Sequence, residues 1–277
     1  MSEATSGPGE ATSGPGEATS GPGEAASGPG EALVKVDTLA NGVVEVILNR
    51  PQRRNALTGP LAEQLARALR QIATDEAVSV VIIRGEGGAF CSGLDLKEFS
   101  QDPQPGWVAD FPQTWRAVHE ALFDLPCIVI GALERAAVNG GASLALACDL
   151  LVSGEEAFLQ VGEIQQGMAA PMNMAWLRLR HSEALAARLV LIGDRLQGHT
   201  LQELGLVHEV VPDRDVVEAT RALADRLVGH DPTGVRRIKT SLRNSGVATD
   251  AATWFDRVVA SDPLNGQRLA PRAAENR

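Results

Sequence analysis

VNGGASLALACD, residues 138–149, is the stretch that decides how this chain is interpreted. An apolar, strand-like run leads into two glycines, and a helical segment begins directly after them. Glycines at such a junction leave backbone N–H groups uncovered at the positive end of the helix, which favours a negative charge there. The first polar side chain of the helix is Ser143 and not a carboxylate. The stretch therefore predicts a strand-to-helix turn whose amides face an anion.

Length and composition narrow the class of protein. The chain has 277 residues, 44% of them hydrophobic, enough for one large domain or a domain with a small appendage. The net charge is -10, and outside the first 31 residues 30 acids face 25 basic residues. The sequence has no basic stripe, so we expect no nucleic-acid partner. It has no apolar run of membrane-spanning length and no targeting signal, so we expect no membrane partner. The three cysteines fit no disulfide or zinc pattern, so a cytoplasmic location is expected.

The N-terminal tract is a repeat, with EATSGPG three times and EAASGPG once over residues 3–30. The heptad lacks the apolar pair that a coiled coil buries, and its recurring Gly-Pro-Gly interrupts any helix. Such a tract cannot offset the entropy of ordering, so residues 1–31 are expected to be disordered. A docking role toward a partner is the alternative interpretation.

From residue 32 onward the pattern indicates alternating strands and helices. Two strands are predicted around an Asn41–Gly42 turn, then a helix over 61–72 and fully buried strands at 78–85 and 127–133. Strand–helix alternation of this kind predicts an α/β fold.

The second half of the chain has a different pattern. Helices dominate from about residue 172, interrupted by one predicted strand in LVHEVV, residues 206–211. The predicted organisation is a core with the functional site over 32–198 and a helical C-terminal region over 199–277.

Five segments of the chain resemble the crotonase, or enoyl-CoA hydratase/isomerase, family in order and in spacing. The resemblance covers about residues 33–260. The segments are NRPQRRNALT (49–58), GAFCSGLDLKEF (88–99), NGGASLALACDL (139–150), GEIQQGMAAP (162–171) and GLVHEVVP (205–212).

The resemblance implies an α/β fold of repeated ββα units wound into a spiral, with a C-terminal helical region that forms homotrimers or dimers of trimers. It implies an acyl-CoA thioester substrate, so coenzyme A enters with the substrate and no separate cofactor is expected. The shared chemistry is stabilisation of a thioester enolate by two backbone amides, an oxyanion hole. The resemblance places these amides at Leu94 and Gly140, with Asn139 in place of the family's first glycine. Asn tolerates the left-handed backbone that this position needs.

The number of acidic residues at the active-site positions of the family distinguishes its hydratases from its isomerases. Hydratases of the family carry two glutamates, and the corresponding positions here are Ser143 and Glu163. Hydration needs one group to activate water and another to protonate carbon, whereas a single carboxylate can carry a proton from C2 to C4 and shift a double bond. The family's isomerases share E-x-Q-x-G-x-x-A-P, which EIQQGMAAP (163–171) resembles at each fixed position. The resemblance therefore implies conversion of 3-enoyl-CoA to 2-trans-enoyl-CoA.

Three other functions stay open from the sequence. The first is a hydratase or another crotonase-type lyase such as a decarboxylase, with Ser143 and a water, or Glu134 at a strand end, in place of the missing acid. The second is a non-catalytic subunit that binds acyl-CoA or an acyl carrier protein. The third is a serine hydrolase with Ser143 as nucleophile, although none of the five histidines lies in the segment expected to supply its base.

Candidates for substrate and CoA binding lie near the first two motifs. Arg53 and Arg54 follow the first hairpin, and Lys97 lies in DLKEF, where the family often places a lysine near the nucleotide. Pro263 and Pro271 discourage the C-terminal helix through which family members contact CoA. The resemblance adds Ala56, Ser92 and Gly141 to the binding set. The helix-spaced aromatic residues expected in the core or the cavity wall are Trp107, Phe111 and Trp115.

Overall fold

The computed structural model describes residues 32–243 and 250–260. The repeat tract predicted to be disordered, residues 1–31, and the proline-containing segment at 261–277 lie outside the described residues.

Two β-sheets form the framework of the described chain. The strands are β1 (Val34–Thr38), β2 (Val43–Leu48), β3 (Val80–Gly85), β4 (Ile128–Leu133), β5 (Ala136–Val138), β6 (Leu150–Gly154), β7 (Phe158–Gln160), β8 (Arg195–Gln197) and β9 (Glu209–Val211). The larger sheet has the order β1-β2-β3-β4-β6-β9, and the smaller has the order β5-β7-β8. Pairing is antiparallel between β1 and β2 and between β7 and β8, and parallel elsewhere in the two sheets.

Helices connect the strands and cover the sheets. They are α1 (Gly59–Ala73), α2 (Leu96–Phe99), α3 (Phe111–Asp124), α4 (Gly140–Ala147), α5 (Pro171–Arg180), α6 (Glu183–Ile192), α7 (Gly198–Glu203), α8 (Val216–Val228), α9 (Pro232–Arg243) and α10 (Ala251–Ala260). Proline occupies the first or second position of α1, α3 and α5, where its missing N–H has no helical partner to lose. The predicted predominance of helices after residue 172 is confirmed.

The opening hairpin forms as predicted. β1 and β2 pair from Val34 opposite Leu48 to Thr38 opposite Val44. Asn41 (φ 63°) adopts the left-handed backbone in the turn, so the Asn-Gly signal identified the turn correctly. The helix predicted over 61–72 is observed as α1 and begins two residues earlier, at Gly59, where the Thr58 hydroxyl accepts a hydrogen bond from the Leu61 N–H.

The continuous apolar runs arise because the central strands are buried on both faces. Val80 and Ile82 of β3 pack with Leu223 of α8 on one face. Val81 and Ile83 point the other way and join the main core that α1 and α3 cover. Parallel strands covered by helices on both sides show no polar alternation, as predicted for 78–85 and 127–133.

The smaller sheet contains β5, the strand-like run expected before the glycines, and β8, a strand that the sequence did not predict. β8 has three residues, too few for a periodic pattern. β5 pairs in parallel with β7 and runs directly into α4, so it aims the first turn of that helix. The strand-to-helix turn predicted at residues 138–141 is thereby confirmed.

The part of the chain beyond residue 198 contributes to the larger sheet. β9, which lies within the predicted strand LVHEVV, pairs in parallel with β6. α8 packs on β3 and β4. The C-terminal region therefore supplies β9 to the larger sheet, and its helices α8 and α10 pack against elements that precede it.

A buried ion pair joins the first hairpin to α8. The side chain of Glu45 on β2 is fully buried and accepts hydrogen bonds from Arg84 on β3 (2.9 Å) and from Nη2 of Arg221 on α8 (2.9 Å). Burial alone would raise the pKa of Glu45, but the two guanidinium groups outweigh it and hold that pKa below its usual value. Its charged form therefore stabilises the fold at neutral pH and stops doing so in acid.

We expect Glu45→Gln to lower the free energy of unfolding at pH 7 by about 1–3 kcal/mol, because two charged donors lose their ionic acceptor. The difference should begin to shrink below the ordinary glutamate value of 4.5, where the unfolded chain takes up a proton, and should vanish only below the lowered pKa of the folded state. Urea titrations at pH 7 and at about pH 3 measure both effects. The exposed Glu63→Gln on α1 is the control, expected within about 0.5 kcal/mol of wild type. An equal loss at both pH values would refute the ionic origin.

Candidate active site

A cavity of about 490 Å³ lies where β5 meets α4, bounded by α2, α3 and the start of α5. The four residues predicted for catalysis line it together. They are Leu94, Gly140, Ser143 and Glu163.

Two residues of the cavity wall, Leu94 and Gly140, carry backbone N–H groups for which the described chain supplies no hydrogen-bond acceptor. Leu94 forms a parallel bridge with Leu57, but the bonds of that bridge use the N–H of Leu57 and of Asp95. The Leu94 N–H therefore points away from Leu57. Gly140 is the first residue of α4, whose first-turn N–H groups have no helical acceptor. Both amides are donors left available at the cavity wall.

The two segments that carry these amides lie directly against each other. Cys91 pairs with Ala137 in a parallel bridge, and the Val138 N–H donates to the Cys91 carbonyl oxygen at 3.0 Å. A Cβ atom on Gly141 would overlap that same carbonyl oxygen, so only glycine fits there. Gly141 is buried in this close contact, and its place in the substrate-binding set stays a prediction.

Arg50 holds the Leu94 segment in place, and the sequence did not single it out. Arg50 is 4% exposed, and its guanidinium group donates to the carbonyl oxygen of Ala56 and to the carboxylates of Asp95 and Glu98. Asp95 in turn caps α2 by accepting from the Glu98 N–H at 3.1 Å. The only sequence signal for this role was the position of Arg50 inside the motif NRPQRRNALT.

Asn139 connects the α4 turn to the Glu163 segment. Its φ is 52°, so the positive backbone angle expected for an asparagine at this position is observed. Its side-chain Oδ1 accepts from the Gly162 N–H at 2.8 Å, and its own N–H donates to the Gln160 carbonyl oxygen at 2.8 Å. A glycine here would supply the backbone angle but not the side-chain bond.

Glu163 is a buried carboxyl group at the start of a short 3-10 helix, Glu163–Gln166. It is 9% exposed, and burial raises its pKa to about 7, partly offset by hydrogen bonds from its own backbone N–H and from Asn173. Asn173 Nδ2 donates to Oε1 at 2.8 Å. The other oxygen, Oε2, is buried and has no hydrogen-bond partner among the described residues. A carboxyl with a pKa near neutrality and one available oxygen is suited to accept and return a proton.

Ser143 lies against a histidine, His119, that is outside the segment expected to supply a base. Its hydroxyl is 3.2 Å from His119 Nε2. The Trp176 indole N–H donates to His119 Nδ1 at 2.9 Å, which makes Nδ1 an acceptor and places the ring proton on Nε2. His119 Nε2 therefore donates to the Ser143 hydroxyl, which donates in turn to the Gly140 carbonyl oxygen at 2.8 Å.

This direction of donation removes the basis for a nucleophilic serine. A base must face the hydroxyl with an unprotonated nitrogen, and Nε2 carries the proton. Burial lowers the pKa of His119 to about 3, so the ring stays neutral. The buried chain of hydrogen bonds from Trp176 to Gly140 is therefore structural.

The predicted CoA-binding residues lie outside the cavity, with one exception. Ser92 lines the cavity, and its hydroxyl donates to the Arg53 carbonyl oxygen. Arg53 forms an ion pair with Asp95 at 3.5 Å, and Arg54 and Lys97 are exposed. Ala56 is buried. Their contact with CoA stays a prediction.

Glu134 does not reach the cavity. It lies after β4, where burial raises its pKa and the nearby charges are those of Arg84 and Glu86. It is therefore not the surrogate acid that its position at a strand end suggested.

Aromatic side chains form one wall of the cavity. Phe111 and Trp115 on α3 stack with ring centroids 6.0 Å apart, and Phe99 on α2 lies on the same wall. Trp107 packs behind them, 5.5 Å from Phe111 and against Gly59. Phe111 and Trp115 lie in the cavity wall as expected, whereas Trp107 is only half-buried and does not line the cavity.

The chain matches a known protein family over most of its length. Residues 38–255 match the model of the family described as enoyl-CoA hydratase/isomerase. The chain belongs to the enoyl-CoA hydratase/isomerase family. The predicted spiral α/β fold of this family, with its C-terminal helices, is likewise confirmed by the solved structures that the chain resembles.

Relatives in the family include both hydratases and isomerases by name. Enoyl-CoA hydratase domain-containing protein 2, mitochondrial, of Bos taurus is 34% identical over 239 residues, covering 81% of this chain and 80% of the relative. The 1,2-epoxyphenylacetyl-CoA isomerase of Escherichia coli is 29% identical over 240 residues, covering 85% and 89%. The crystal structure of an enoyl-CoA hydratase from Bacillus anthracis matches with a TM-score of 0.72 and 29% identity, covering 83% and 91%.

Within residues 32–243 and 250–260, no helix has the length and apolarity that a membrane crossing requires. The same ranges contain no cluster of three or more His, Cys, Asp or Glu arranged to hold a metal ion.

We expect Ser143→Ala to reduce turnover of an enoyl-CoA by less than about tenfold, because its hydroxyl only bridges two buried groups. It should lower the free energy of unfolding by about 1–3 kcal/mol, since the His119 N–H then lacks its acceptor. Ser153→Ala is the control, because that serine is equally buried but bonds only to the adjacent Gly154 carbonyl oxygen. An acyl adduct on Ser143, detected by mass spectrometry after incubation with thioester, would overturn this assignment.

Proposed function

We propose that this protein is an enoyl-CoA isomerase that converts 3-enoyl-CoA to 2-trans-enoyl-CoA with Glu163 as its single catalytic carboxyl. The observation that carries the proposal is the buried Glu163 in the cavity, with a pKa raised to about 7 and an Oε2 that has no partner in the described chain. Ser143 stands at the position of the second acid and cannot ionise near neutral pH.

The amides of Leu94 and Gly140 are proposed as the oxyanion hole. Both line the cavity that contains Glu163, and neither has another acceptor in the described chain. Their segments are held by backbone pairing and by Arg50, so they need no rearrangement when charge develops on the thioester oxygen.

The reaction then needs one proton carrier and no redox partner. The Glu163 carboxylate takes a proton from C2, and the released electron pair forms a dienolate whose negative charge lies on the thioester oxygen. When the electron pair on this oxygen re-forms the thioester C=O bond, the C2–C3 double bond forms and C4 takes the proton back from Glu163. Atoms balance, and the carboxylate is restored.

Hydration is the second candidate, because one observation favours it. Asn173 Oδ1 is a second buried acceptor in the cavity with no partner in the described chain. A water molecule held by this oxygen and Glu163 Oε2 would substitute for the function of the missing acid. The product formed from 2-trans-enoyl-CoA and from 3-enoyl-CoA distinguishes the two reactions.

The substrate is proposed to be an acyl-CoA thioester whose acyl group lies along the wall of Phe99, Phe111 and Trp115. Such a wall favours an apolar acyl chain. Coenzyme A enters as part of the substrate, and no separate cofactor is proposed. A protein that only binds acyl groups needs no carboxyl group that titrates near neutral pH, so the raised pKa of Glu163 favours an enzyme over a binding subunit.

The cytoplasmic location is proposed on the sequence alone, and nothing in the composition favours nucleic acid or membrane as a partner.

We expect the protein to sediment as three or six copies at micromolar concentration. The expectation rests on the resemblance and on two large apolar side chains of α9, Ile238 and Leu242, that are 64% and 69% exposed. Sedimentation equilibrium measures the mass directly. A stable monomer at that concentration would rule out the proposed assembly.

Glu163→Gln is expected to lower turnover by about 10²–10⁴-fold while acyl-CoA binding persists, because the proton carrier is lost and the volume is kept. Wild-type turnover should rise with pH through about 7, since the raised pKa keeps the carboxyl protonated below that value. Glu155→Gln, in the exposed turn after β6, should change neither result.

The same substitution should raise stability above pH 7. A carboxyl with a raised pKa in the folded state stabilises the fold most in acid and loses that contribution as the pH rises to about 7. Glu163→Gln should therefore melt at a higher temperature than wild type at pH 8 and at a similar one at pH 4.5. If Ser143→Ala abolishes turnover and Glu163→Gln does not, Glu163 is not the base.

A further inference from the structure

Asn173, on α5, is a buried amide side chain that no sequence motif identified. It is 1% exposed, and its Nδ2 donates to Glu163 Oε1 at 2.8 Å and to the Asn139 carbonyl oxygen at 3.2 Å. Both partners are acceptors, so the nitrogen of the amide must point toward them. One side chain thus uses both of its N–H groups within the cavity wall.

The Asn139 carbonyl belongs to the same peptide group as the Gly140 N–H. A peptide group is planar, so fixing its oxygen also fixes the direction of the N–H on the opposite side. The Ser143 N–H donates to the same oxygen at 3.0 Å, which gives that oxygen two donors. Hydrogen bonds that polarise one another in series also make the Gly140 N–H a stronger donor.

A second connection closes this network into a ring. Asn139 Oδ1 accepts from the N–H of Gly162, the residue directly before Glu163. The α4 turn is therefore joined to the Glu163 segment once through the Asn139 side chain and once through Asn173. A rigid ring holds two groups at a set separation better than either bond alone.

We propose that Asn173 is a positioning residue that fixes the Glu163 carboxyl and the Gly140 amide in one relative geometry. The inference rests on the proposed function, in which Glu163 acts at C2 while Gly140 binds the oxygen on the adjacent thioester carbon. Both contacts must be made in the same transition state, and a misplacement of 1 Å costs about 10²-fold in rate.

The test uses the full chain and three variants. Asn173→Ala removes both donors, and Asn173→Asp keeps the shape but replaces the donors with a charge. Met174→Ala changes the neighbouring, partly buried residue of the same helix, which packs in the main core. The readouts are kcat and KM against pH, and the titration of Glu163 by difference infrared spectroscopy against Glu163→Gln, without substrate.

In Asn173→Ala we expect kcat at pH 7 to fall by about 10–100-fold with little change in KM. The acidic limb of the kcat profile and the Glu163 titration should both move to higher pH by about one unit, because the carboxylate loses a hydrogen bond. Asn173→Asp should move them further, since like charges disfavour ionisation. Met174→Ala should lower the melting temperature but should move neither the acidic limb of the kcat profile nor the Glu163 titration.

The inference is overturned if Asn173→Ala leaves the Glu163 titration and the acidic limb in place, or if Met174→Ala moves them equally. If Asn173→Ala does not fold, the isosteric Asn173→Asp decides the question by the same measurements. A wild-type protein that neither isomerises nor hydrates enoyl-CoA would refute the proposed function. The infrared titration would still report whether Asn173 controls Glu163.

Discussion

The site depends on one close contact between two backbone segments, residues 91–94 and 137–141. No side chain separates them, because Gly141 lies on the Cys91 carbonyl oxygen and a Cβ on Gly93 would lie 2.7 Å from the Val138 carbonyl oxygen. A substituent at either glycine would push the segments apart and separate the two amides of the cavity wall. The contact is made by bonds already present in the free protein, so the proposed oxyanion hole is preorganised.

Two buried hydrogen-bond networks meet at the first turn of α4. One runs from Trp176 through His119 and Ser143 to Gly140, and the other joins Asn139 and Asn173 to the carboxyl group. Buried polar atoms are normally paired, so the few exceptions indicate function. Three buried side-chain atoms have no partner in the described chain. Two of them, Glu163 Oε2 and Asn173 Oδ1, belong to residues that line this cavity, and the third is Trp254 Nε1.

The sequence identified the parts of the site that lie in local motifs and missed those that depend on contacts between helices. Glu163 and Gly140 stand at fixed distances from recognisable neighbours, and the strands and helices around them have clear periodicity. His119 is a buried residue of α3 that meets Ser143 24 residues later in the chain. Asn173 meets Asn139 across 34 residues. Nothing in the local pattern of either residue specifies its partner, and the three-residue β8 is too short to show a period.

The pairing of Glu45 with Arg221 has a consequence for how the chain is made. The two residues are 176 positions apart, and β9, which completes the larger sheet, is also formed late in the sequence. During synthesis the opening hairpin leaves the ribosome long before the helix that neutralises its buried acid exists. Parallel sheets with such distant contacts close slowly. The nascent N-terminal strands therefore carry an exposed apolar face for most of translation, which is the interval in which chaperones act.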